Sequence, residues 1–283
     1  MIVDFHIHSR SSDGILSAAQ IAEPILARNV AIAIITDHDL VGESETLAHL
    51  LPDRAVVGIE LSTVTEGRCV DLLGYRLASP HSLDDPARLR ANEELICTLG
   101  AAAVRRCGFA LDDPDLAGLD SVHSTALLAR GVFAQSANQA RLAAEEIESP
   151  AAFKLRYLSK GAPASFSQDF AKLADIPTTP EAISRIIGAG GVAVLAHPGL
   201  IELPDLESQI RIWVGAGLAG IEVDHTDHSD ATRSRFERLA TDLDLLTTYG
   251  SDTHVELDHF AAPAQGWSAS RVMFWRELLG LDH

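Results

Sequence analysis

Two histidines near the start of the chain have a spacing that suits metal binding. His6 and His8 stand in the segment HIHSRSSDG, residues 6–14, directly after a mainly apolar opening. On an extended strand, side chains two positions apart point to the same side. The two imidazoles can therefore share one metal ion, and Asp13 follows in the same segment.

Acids and histidines also follow other apolar runs. These runs predict seven strands, at residues 2–6, 31–36, 56–61, 69–75, 192–196, 220–223 and 245–249. Polar residues stand at or just after the downstream ends of six of these strands: His6 and His8, Asp37 to Asp39, Glu60, His197, Asp224 and His225, and Asp252 and His254. In α/β proteins, ligands gather at the carboxyl ends of strands because the loops there form the open face. We expect the six segments to lie close together at the end of the sheet where the strands have their carboxyl ends.

The elements that would position these residues alternate between strands and helices. This alternation predicts an α/β protein with a parallel sheet, open or closed into a barrel, with helices over residues 179–188 and 230–243 among others. Residues 63–68 are too few for a helical crossover, so strands three and four should form a hairpin. From about residue 84 to 161 the pattern is helical, which indicates an inserted helical segment.

Composition narrows the classes of partner. The formal charge of −18 comes from 40 acidic and 22 basic residues, which argues against long nucleic acid as a partner but leaves room for one small phosphate ester at a metal centre. Three cysteines without CxxC spacing argue against a disulfide framework or a thiolate zinc site. No apolar run has the length of a membrane span or a signal peptide, so we expect a cytoplasmic protein.

The donor types indicate which ions would bind. Imidazole nitrogen with carboxylate oxygen and no thiolate suits Zn, Mn or Fe, and is too rich in imidazole for a dedicated Mg or Ca site. A single HxH or DxH is more often a surface or core feature than a ligand pair. Together, however, these side chains would bury several charges at one place, and each unpaired charged side chain would cost several kcal/mol. Bound cations would compensate for this cost. The candidates exceed what one ion can hold, so two or three divalent ions are expected.

With these residues in place, the sequence resembles the PHP family, the polymerase and histidinol phosphatase domain family of the amidohydrolase superfamily. It looks most like the stand-alone phosphoesterases of that family that act on nucleotides. The motifs HIHSRSSDG, ITDHD, GIE, AHP and GSDTH stand in the family's order. The resemblance implies a distorted (β/α)7 barrel. Residues 1–90 and 166–283 would form its two parts, and residues 91–165 would form a helical insertion that acts as a substrate cap.

The resemblance also implies how the ligands divide between ions. One ion would be held by His6, His8, Glu60 and Asp252, and another by Asp13, His38 and His254. Glu60 would bridge to a third ion, held with His197 and a residue of the fourth strand. There the sequence departs from the family, because VDLLGY has Asp71 where a histidine is usual. Asp71 either ligates through oxygen or leaves the third site weakened or empty, and we favour two ions with a labile or missing third.

The insertion carries the candidates for phosphate binding. The nucleotide-acting branch often has an Arg-Pro-His segment there, followed by Tyr-Leu and Gly-x-Pro. Here ALLARGVFA keeps Arg130 but has Gly131 and Val132 in place of Pro and His, and RYLSKGAP follows. A guanidinium can bind two phosphate oxygens at once, which makes Arg130 the first candidate, with an exposed helical ion pair as the alternative. Lys160 either contacts the same phosphate or lies on the solvated surface.

Two histidines in EVDHTDHS complete the set. His225 and His228 follow the sixth strand, where family members place substrate-contacting or proton-donating histidines, and a structural loop histidine is the alternative. The implied reaction is hydrolysis of a phosphate monoester of a small nucleotide, a nucleoside 3′,5′-bisphosphate or a 5′-monophosphate such as AMP, by a hydroxide that bridges two ions. The alternatives are a phosphodiesterase or exonuclease on short oligonucleotides, amidohydrolase chemistry at carbon, and a non-catalytic scaffold.

Overall fold

The protein has an α/β fold in the computed structural model, which describes residues 1–120, 123–158, 163–164, 175–254 and 267–281. All seven predicted strands are confirmed: β1 (Val3–Ile7), β2 (Ile32–Ile35), β3 (Gly58–Thr65), β4 (Arg68–Tyr75), β5 (Val192–Leu195), β6 (Gly220–His225) and β7 (Leu246–Gly250). The α-helices in the described residues are α1 (Ala18–Ala27), α2 (Ser44–Leu50), α3 (Pro86–Arg106), α4 (Ser124–Ala134), α5 (Gln139–Ala144), α6 (Pro150–Phe153), α7 (Thr179–Gly188), α8 (Leu206–Gly215), α9 (Asp230–Asp242) and α10 (Ala269–Leu279).

The chain divides into two compact units. Unit 1 comprises Met1–Asp84 and Pro177–His283, and contains the seven strands. Unit 2 comprises Asp85–Ile176, and its described part contains helices α3 to α6. The boundaries predicted at 90/91 and 165/166 stay a prediction, and the second of them lies outside the described residues. Within that described part of the chain, none of the helices is both long enough and apolar enough to cross a membrane.

The strands of unit 1 form two sheets. Strands β1 and β2 pair in parallel, and a second sheet has the order β3-β4-β5-β6-β7. In the second sheet β5, β6 and β7 are parallel, whereas β4 is antiparallel to both of its neighbours. The pairing of β3 with β4 confirms the predicted hairpin, and the expectation of a parallel sheet is wrong only where β4 pairs with β5. The predicted hairpin is the reason, because it reverses the direction of β4.

The hairpin turn explains one correction to the predicted strand ends. Glu66 and Gly67 have φ values of 51° and 75°, and two successive residues with positive φ form the tight turn that suits the twist of paired strands. Strand β3 therefore continues as far as Thr65, paired with Arg68. The sequence had indicated that Glu60 ends its strand, but Glu60 is the third residue of β3.

The two sheets approach each other through isolated bridges. Ile7 pairs with Thr253, just after β7, and His38 pairs with Glu60 of β3. The first bridge lies beside predicted metal ligands, and the second joins two of them. In the described residues, regular pairing does not continue from one sheet to the other, so the ladders do not form a closed barrel.

An aromatic cluster holds β1 in place. All five residues of β1 are buried, and the Phe5 ring lies 4.9 Å from the Trp275 ring of α10 and 5.6 Å from the rings of Tyr75 and Trp267. Large buried aromatic surfaces dominate the energy of a core. The packing of Phe5 therefore fixes the strand that carries His6.

Candidate metal centre

The first strand brings its two histidines together as the spacing predicts. The Nε2 atoms of His6 and His8 lie 3.1 Å apart, and each lies 3.2 Å from Oε2 of Glu60. Asp252, which follows β7, places Oδ1 at 3.4 Å from His6 Nε2 and at 3.0 Å from His8 Nε2. Strand β1, the residue that follows it, strand β3 and the segment after β7 therefore place four donor atoms close together.

These separations fit a shared ion. Nitrogen and oxygen ligands bound to one transition-metal ion at about 2.0–2.2 Å lie roughly 3.0–3.5 Å from each other. Five of the six pairs formed by the donor atoms of His6, His8, Glu60 and Asp252 are separated by 3.0 to 3.4 Å. The donor atoms of His6, His8 and Glu60 all lie within 4.8 Å of one another, and Asp252 forms a second such group with His6 and His197.

A second group forms around Asp13. Its Oδ1 atom lies 3.1 Å from Nε2 of His254 and 3.8 Å from Nε2 of His38. The same oxygen is 3.4 Å from Nδ1 of His8, which places His8 beside this group as well. The structure therefore brings together the three residues predicted for the second ion.

The third group contains the residue that departs from the family pattern. Nε2 of His197 lies 3.1 Å from Oε1 of Glu60 and 3.8 Å from Oδ2 of Asp71. Donor atoms of Glu60, Asp71 and His197 all lie within 4.8 Å of one another. Asp71 is therefore placed where it can supply an oxygen ligand. That it does so stays a prediction, as does the ligand role of the other residues.

The charges of this region show why a cation fits it. Burial acts to lower the pKa of His8, but hydrogen bonds to Asp252 and Glu60 outweigh it and raise that pKa to about 10. Burial acts to raise the pKa of Glu60, but the charges of His38 and His6 hold it well below its usual range. Positive charge therefore stabilises the buried carboxylates. Either a bound cation or protonated imidazoles can supply it.

The two predicted catalytic histidines have different surroundings. His225 is buried at the end of β6, with Nε2 at 3.4 Å from Oδ2 of Asp252. Its Nδ1 accepts a hydrogen bond from the backbone N–H of Asp227 at 3.1 Å, so the neutral ring carries its proton on Nε2. His228 donates from Nδ1 to the carbonyl of Val223 at 2.9 Å and accepts at Nε2 from the N–H of Gly199 at 3.1 Å.

It follows that Nε2 of His225 faces the predicted ligands, whereas both ring nitrogens of His228 form hydrogen bonds with the backbone.

The phosphate-binding candidates belong to unit 2. Arg130 lies on α4 with an exposed side chain, and Lys160 lies outside the described residues.

Among the buried carboxylates near the centre, Asp37 and Glu222 were not assigned to an ion from the sequence. Asp37 accepts hydrogen bonds from the N–H of Ser9 at 2.8 Å and from Oγ of Ser9 at 2.6 Å, which holds the segment that leads to Asp13. Glu222 lies in β6 and contacts His6 and the backbone of His197. Its signal in the sequence is a single acid within the buried run GIEV.

Comparison with known proteins supports the motif assignment. No protein-family model matches the chain. The phosphoribosyl 1,2-cyclic phosphate 1,2-diphosphodiesterase of Eggerthella lenta is 31% identical over 268 residues, which cover 90% of this chain and 94% of that protein. The 3′,5′-nucleoside bisphosphate phosphatase of Chromobacterium violaceum is 29% identical over 281 residues, covering 93% and 88%. The chain belongs to the PHP family.

Other relatives of this PHP chain span a range of reactions. A 5′-3′ exoribonuclease of Haemophilus influenzae is 28% identical over 261 residues, which cover 89% of each chain. Among solved structures, an amidohydrolase of Chromobacterium violaceum with bound sulfate and no metal has a TM-score of 0.68 at 25% identity, and the match covers 92% of the PHP chain and 89% of that structure. These similarities assign the PHP chain to a group of hydrolases that includes phosphatases, diesterases and nucleases.

Proposed function

We propose that the protein is a metal-dependent phosphatase that hydrolyses a phosphate monoester of a small nucleotide, either a nucleoside 3′,5′-bisphosphate or a 5′-monophosphate such as AMP. One observation carries this proposal. Nine imidazole and carboxylate side chains from distant parts of the sequence meet in four overlapping groups, each of which contains His6, His8 or Glu60. The bisphosphate phosphatase of Chromobacterium violaceum supports the choice of substrate.

The ions would be two or three divalent cations of Mn, Zn or Fe. We assign His6, His8, Glu60 and Asp252 to the first ion and Asp13, His38 and His254 to the second. Glu60, Asp71 and His197 would hold the third. When bound, such ions lower the pKa of a coordinated water to about 7 and stabilise negative charge on the phosphoryl oxygens. The (β/α)7 barrel belongs to the same proposal, supported by the bridges from Ile7 to Thr253 and from His38 to Glu60.

The residues of this chain would orient the substrate and place one proton. The N–H of Asp227 keeps the neutral His225 ring protonated at Nε2, which faces the centre. From there His225 would donate a hydrogen bond to a phosphoryl or leaving-group oxygen. The catalytic role of His228 stays a prediction, and its two backbone hydrogen bonds suit a role in holding the segment after β5.

Further substrate contacts stay predictions. These are the binding of phosphate by Arg130 and Lys160 and the action of the helical insertion as a substrate cap. The side chain of Arg130 is exposed, so its planar guanidinium is available for two parallel hydrogen bonds to a phosphate group.

Cleavage of a phosphodiester is the second candidate function. The diphosphodiesterase of Eggerthella lenta and the exoribonuclease of Haemophilus influenzae favour it, since both names describe diester substrates. The charge of −18 favours a small substrate instead, because affinity for long nucleic acid depends on many basic contacts with phosphates.

The test compares the two bond types in one assay. Protein reconstituted with Mn²⁺ or Zn²⁺ is given adenosine 3′,5′-bisphosphate, AMP, and a short 5′-phosphorylated oligoribonucleotide, and phosphate release and strand cleavage are measured. We expect phosphate release from a mononucleotide to have the highest kcat/KM. Asp252→Asn, which removes a predicted ligand, is the inactive variant, and Asp242→Asn, an exposed acid of α9, is its matched control. Faster cleavage of the oligonucleotide would overturn the monoester proposal.

A further inference from the structure

Glu222 is a buried acid that the proposed ligand sets do not use. It lies in β6 between Ile221 and Val223, and its side chain has no exposed surface. A carboxylate in such a place costs several kcal/mol unless charged or polar partners compensate for the loss of water. Its partners therefore indicate its purpose.

The two oxygens of Glu222 bind two different segments of the metal centre. Oε1 accepts a hydrogen bond from Nδ1 of His6 at 3.1 Å. Oε2 accepts a hydrogen bond from the backbone N–H of His197 at 2.7 Å. One side chain thus connects a predicted ligand of the first ion with a predicted ligand of the third.

The contact with His6 determines which ring nitrogen is free. An imidazole that donates from Nδ1 to a carboxylate has its lone pair on Nε2, and this is the atom that faces His8, Glu60 and Asp252. If Nδ1 instead accepted a hydrogen bond, the proton of the neutral ring would lie on Nε2, where it would block the ion.

The contact with His197 supports an unusual backbone conformation. His197 has a φ of 24°, in the region that residues with a Cβ rarely adopt. The short hydrogen bond from its N–H to Glu222 holds the backbone there, and its Nε2 then lies 3.1 Å from Oε1 of Glu60.

The neighbouring strand leaves room for this acid. A Cβ at Gly250, in β7, would overlap both Oε1 of Glu222 and the Cβ of His6. A glycine at this position therefore permits the close approach of the acid to the histidine.

From these contacts we propose that Glu222 is a positioning residue of the metal centre, which orients His6 and His197 and links the first and third ion sites without binding an ion. This inference rests on the proposed metal centre. It concerns metal affinity, and so it can be tested apart from the phosphatase reaction.

The variant Glu222→Gln tests both contacts, because an amide cannot replace them together. If its oxygen accepts from His197, its NH₂ group faces Nδ1 of His6 and favours the wrong tautomer. If its oxygen accepts from His6, its NH₂ group faces the N–H of His197. Loss of a group that orients a metal ligand typically weakens metal affinity by about 10–100-fold.

The measurement is a titration of metal-free protein with Zn²⁺ against a chromophoric chelator. We expect Glu222→Gln to bind at least one ion about 10–100-fold more weakly than the unaltered protein. Glu93→Gln is the matched control, since it also removes a mostly buried carboxylate paired with a histidine, but in unit 2. We expect it to retain the Zn²⁺ affinity. An affinity of Glu222→Gln within about twofold of the unaltered protein overturns the inference.

A second measurement needs no variant at Glu222. In zinc-loaded protein labelled with ¹⁵N-histidine, long-range ¹H–¹⁵N spectra show which nitrogen of His6 carries the proton, with His6→Asn used for assignment. Protonation at Nδ1 with Nε2 bound to zinc supports the inference, and the reverse overturns it. If the protein binds no Zn²⁺, the metal centre and this inference both fail. If Zn²⁺ binds as expected but no phosphate is released, only the proposed function fails.

Discussion

Nε2 of His197 lies 3.1 Å from Oε1 of Glu60, while the other oxygen of that carboxylate, Oε2, lies 3.2 Å from Nε2 of both His6 and His8. Oε2 also lies 3.1 Å from Nδ1 of His38, so a single buried side chain contacts residues predicted to bind each of the three ions. This arrangement has a direct consequence for metal content.

We expect Glu60→Gln to reduce the number of bound ions by at least one. The amide presents one acceptor oxygen and one NH₂ group, so at least one of the two groups of donors meets a hydrogen-bond donor instead of a ligand. Metal content is measured by mass spectrometry after removal of excess Mn²⁺ or Zn²⁺. Glu66→Gln, an exposed acid in the turn between β3 and β4, is the control. Unaltered metal content in Glu60→Gln would contradict the bridging assignment.

Asp71 allows a narrower test. Asp71→Asn should lose at most one ion, because Asp71 approaches only the group of Glu60 and His197. Asp71→His should bind Zn²⁺ at that site more tightly than the unaltered protein, since imidazole suits zinc better than a carboxylate oxygen does. The same metal analysis and Zn²⁺ titration apply. If both variants match the unaltered protein, Asp71 does not ligate.

Removal of metal should destabilise the protein. A ligand present at 100 times its Kd stabilises the folded state by about 2.7 kcal/mol, and 1 kcal/mol shifts Tm by roughly 2–4 °C in a domain of about 150–250 residues. We therefore expect a chelator to lower Tm by about 5–10 °C, and Mn²⁺ or Zn²⁺ to restore it. Scanning calorimetry checks this. Equal melting temperatures with and without chelator would argue against buried ions.

The two histidines after β6 should respond differently to substitution. His225→Asn should lower kcat with little change in metal content, because Nε2 of His225 faces the centre from outside the ligand groups. His228→Asn should lower the free energy of unfolding by about 1–3 kcal/mol, since it leaves the buried partners of two hydrogen bonds unsatisfied. Steady-state kinetics and denaturant unfolding separate these effects. A catalytic loss in His228→Asn without loss of stability would assign catalysis to His228.

Glu93 predicts a pH dependence in unit 2. Burial acts to raise its pKa, but His123, 3.0 Å away, and the N–H of Ser124 outweigh burial and lower the pKa to about 2. A carboxylate with a lower pKa in the folded state stabilises above its unfolded pKa, about 4.3, and loses this effect as pH falls towards 2. The difference corresponds to about 3 kcal/mol at neutral pH, as an upper value.

Denaturant unfolding of metal-free protein checks that value. At pH 6, Glu93→Gln should have a lower free energy of unfolding than the unaltered protein. This difference in the free energy of unfolding should become smaller by pH 3. Glu94→Gln, the adjacent acid paired with Arg90 on the helix surface, should show almost no gap at either pH. A gap for Glu93→Gln that does not change with pH would contradict the lowered pKa.

Much of the fold could be predicted from local patterns. Short apolar runs locate all seven strands, because a run of consecutive apolar residues is typical of a strand buried on both faces, as β1 and β2 are. The helix over residues 179–188 has its predicted bounds, with Thr178 and Glu181 forming the capping box at its start. The antiparallel pairing of β4 with β5 was not predictable in this way, since it joins residues more than a hundred positions apart. The end of β3 was missed because pairing within the hairpin, rather than apolar character, extends this strand to Thr65.

By itself, the sequence indicated the chemistry of the centre: which imidazole and carboxylate donors exist, that the cysteine spacing argues against a thiolate zinc site, and the order in which candidate ligands follow the strands. Only the tertiary structure decided that Glu60, which the resemblance implied would bridge two sites, also contacts His38, that Asp71 lies close to His197, and that Glu222 lies between His6 and His197. The physical reason is distance. A metal site depends on separations of about 3 Å between side chains, and strand register sets these separations across more than a hundred residues of sequence.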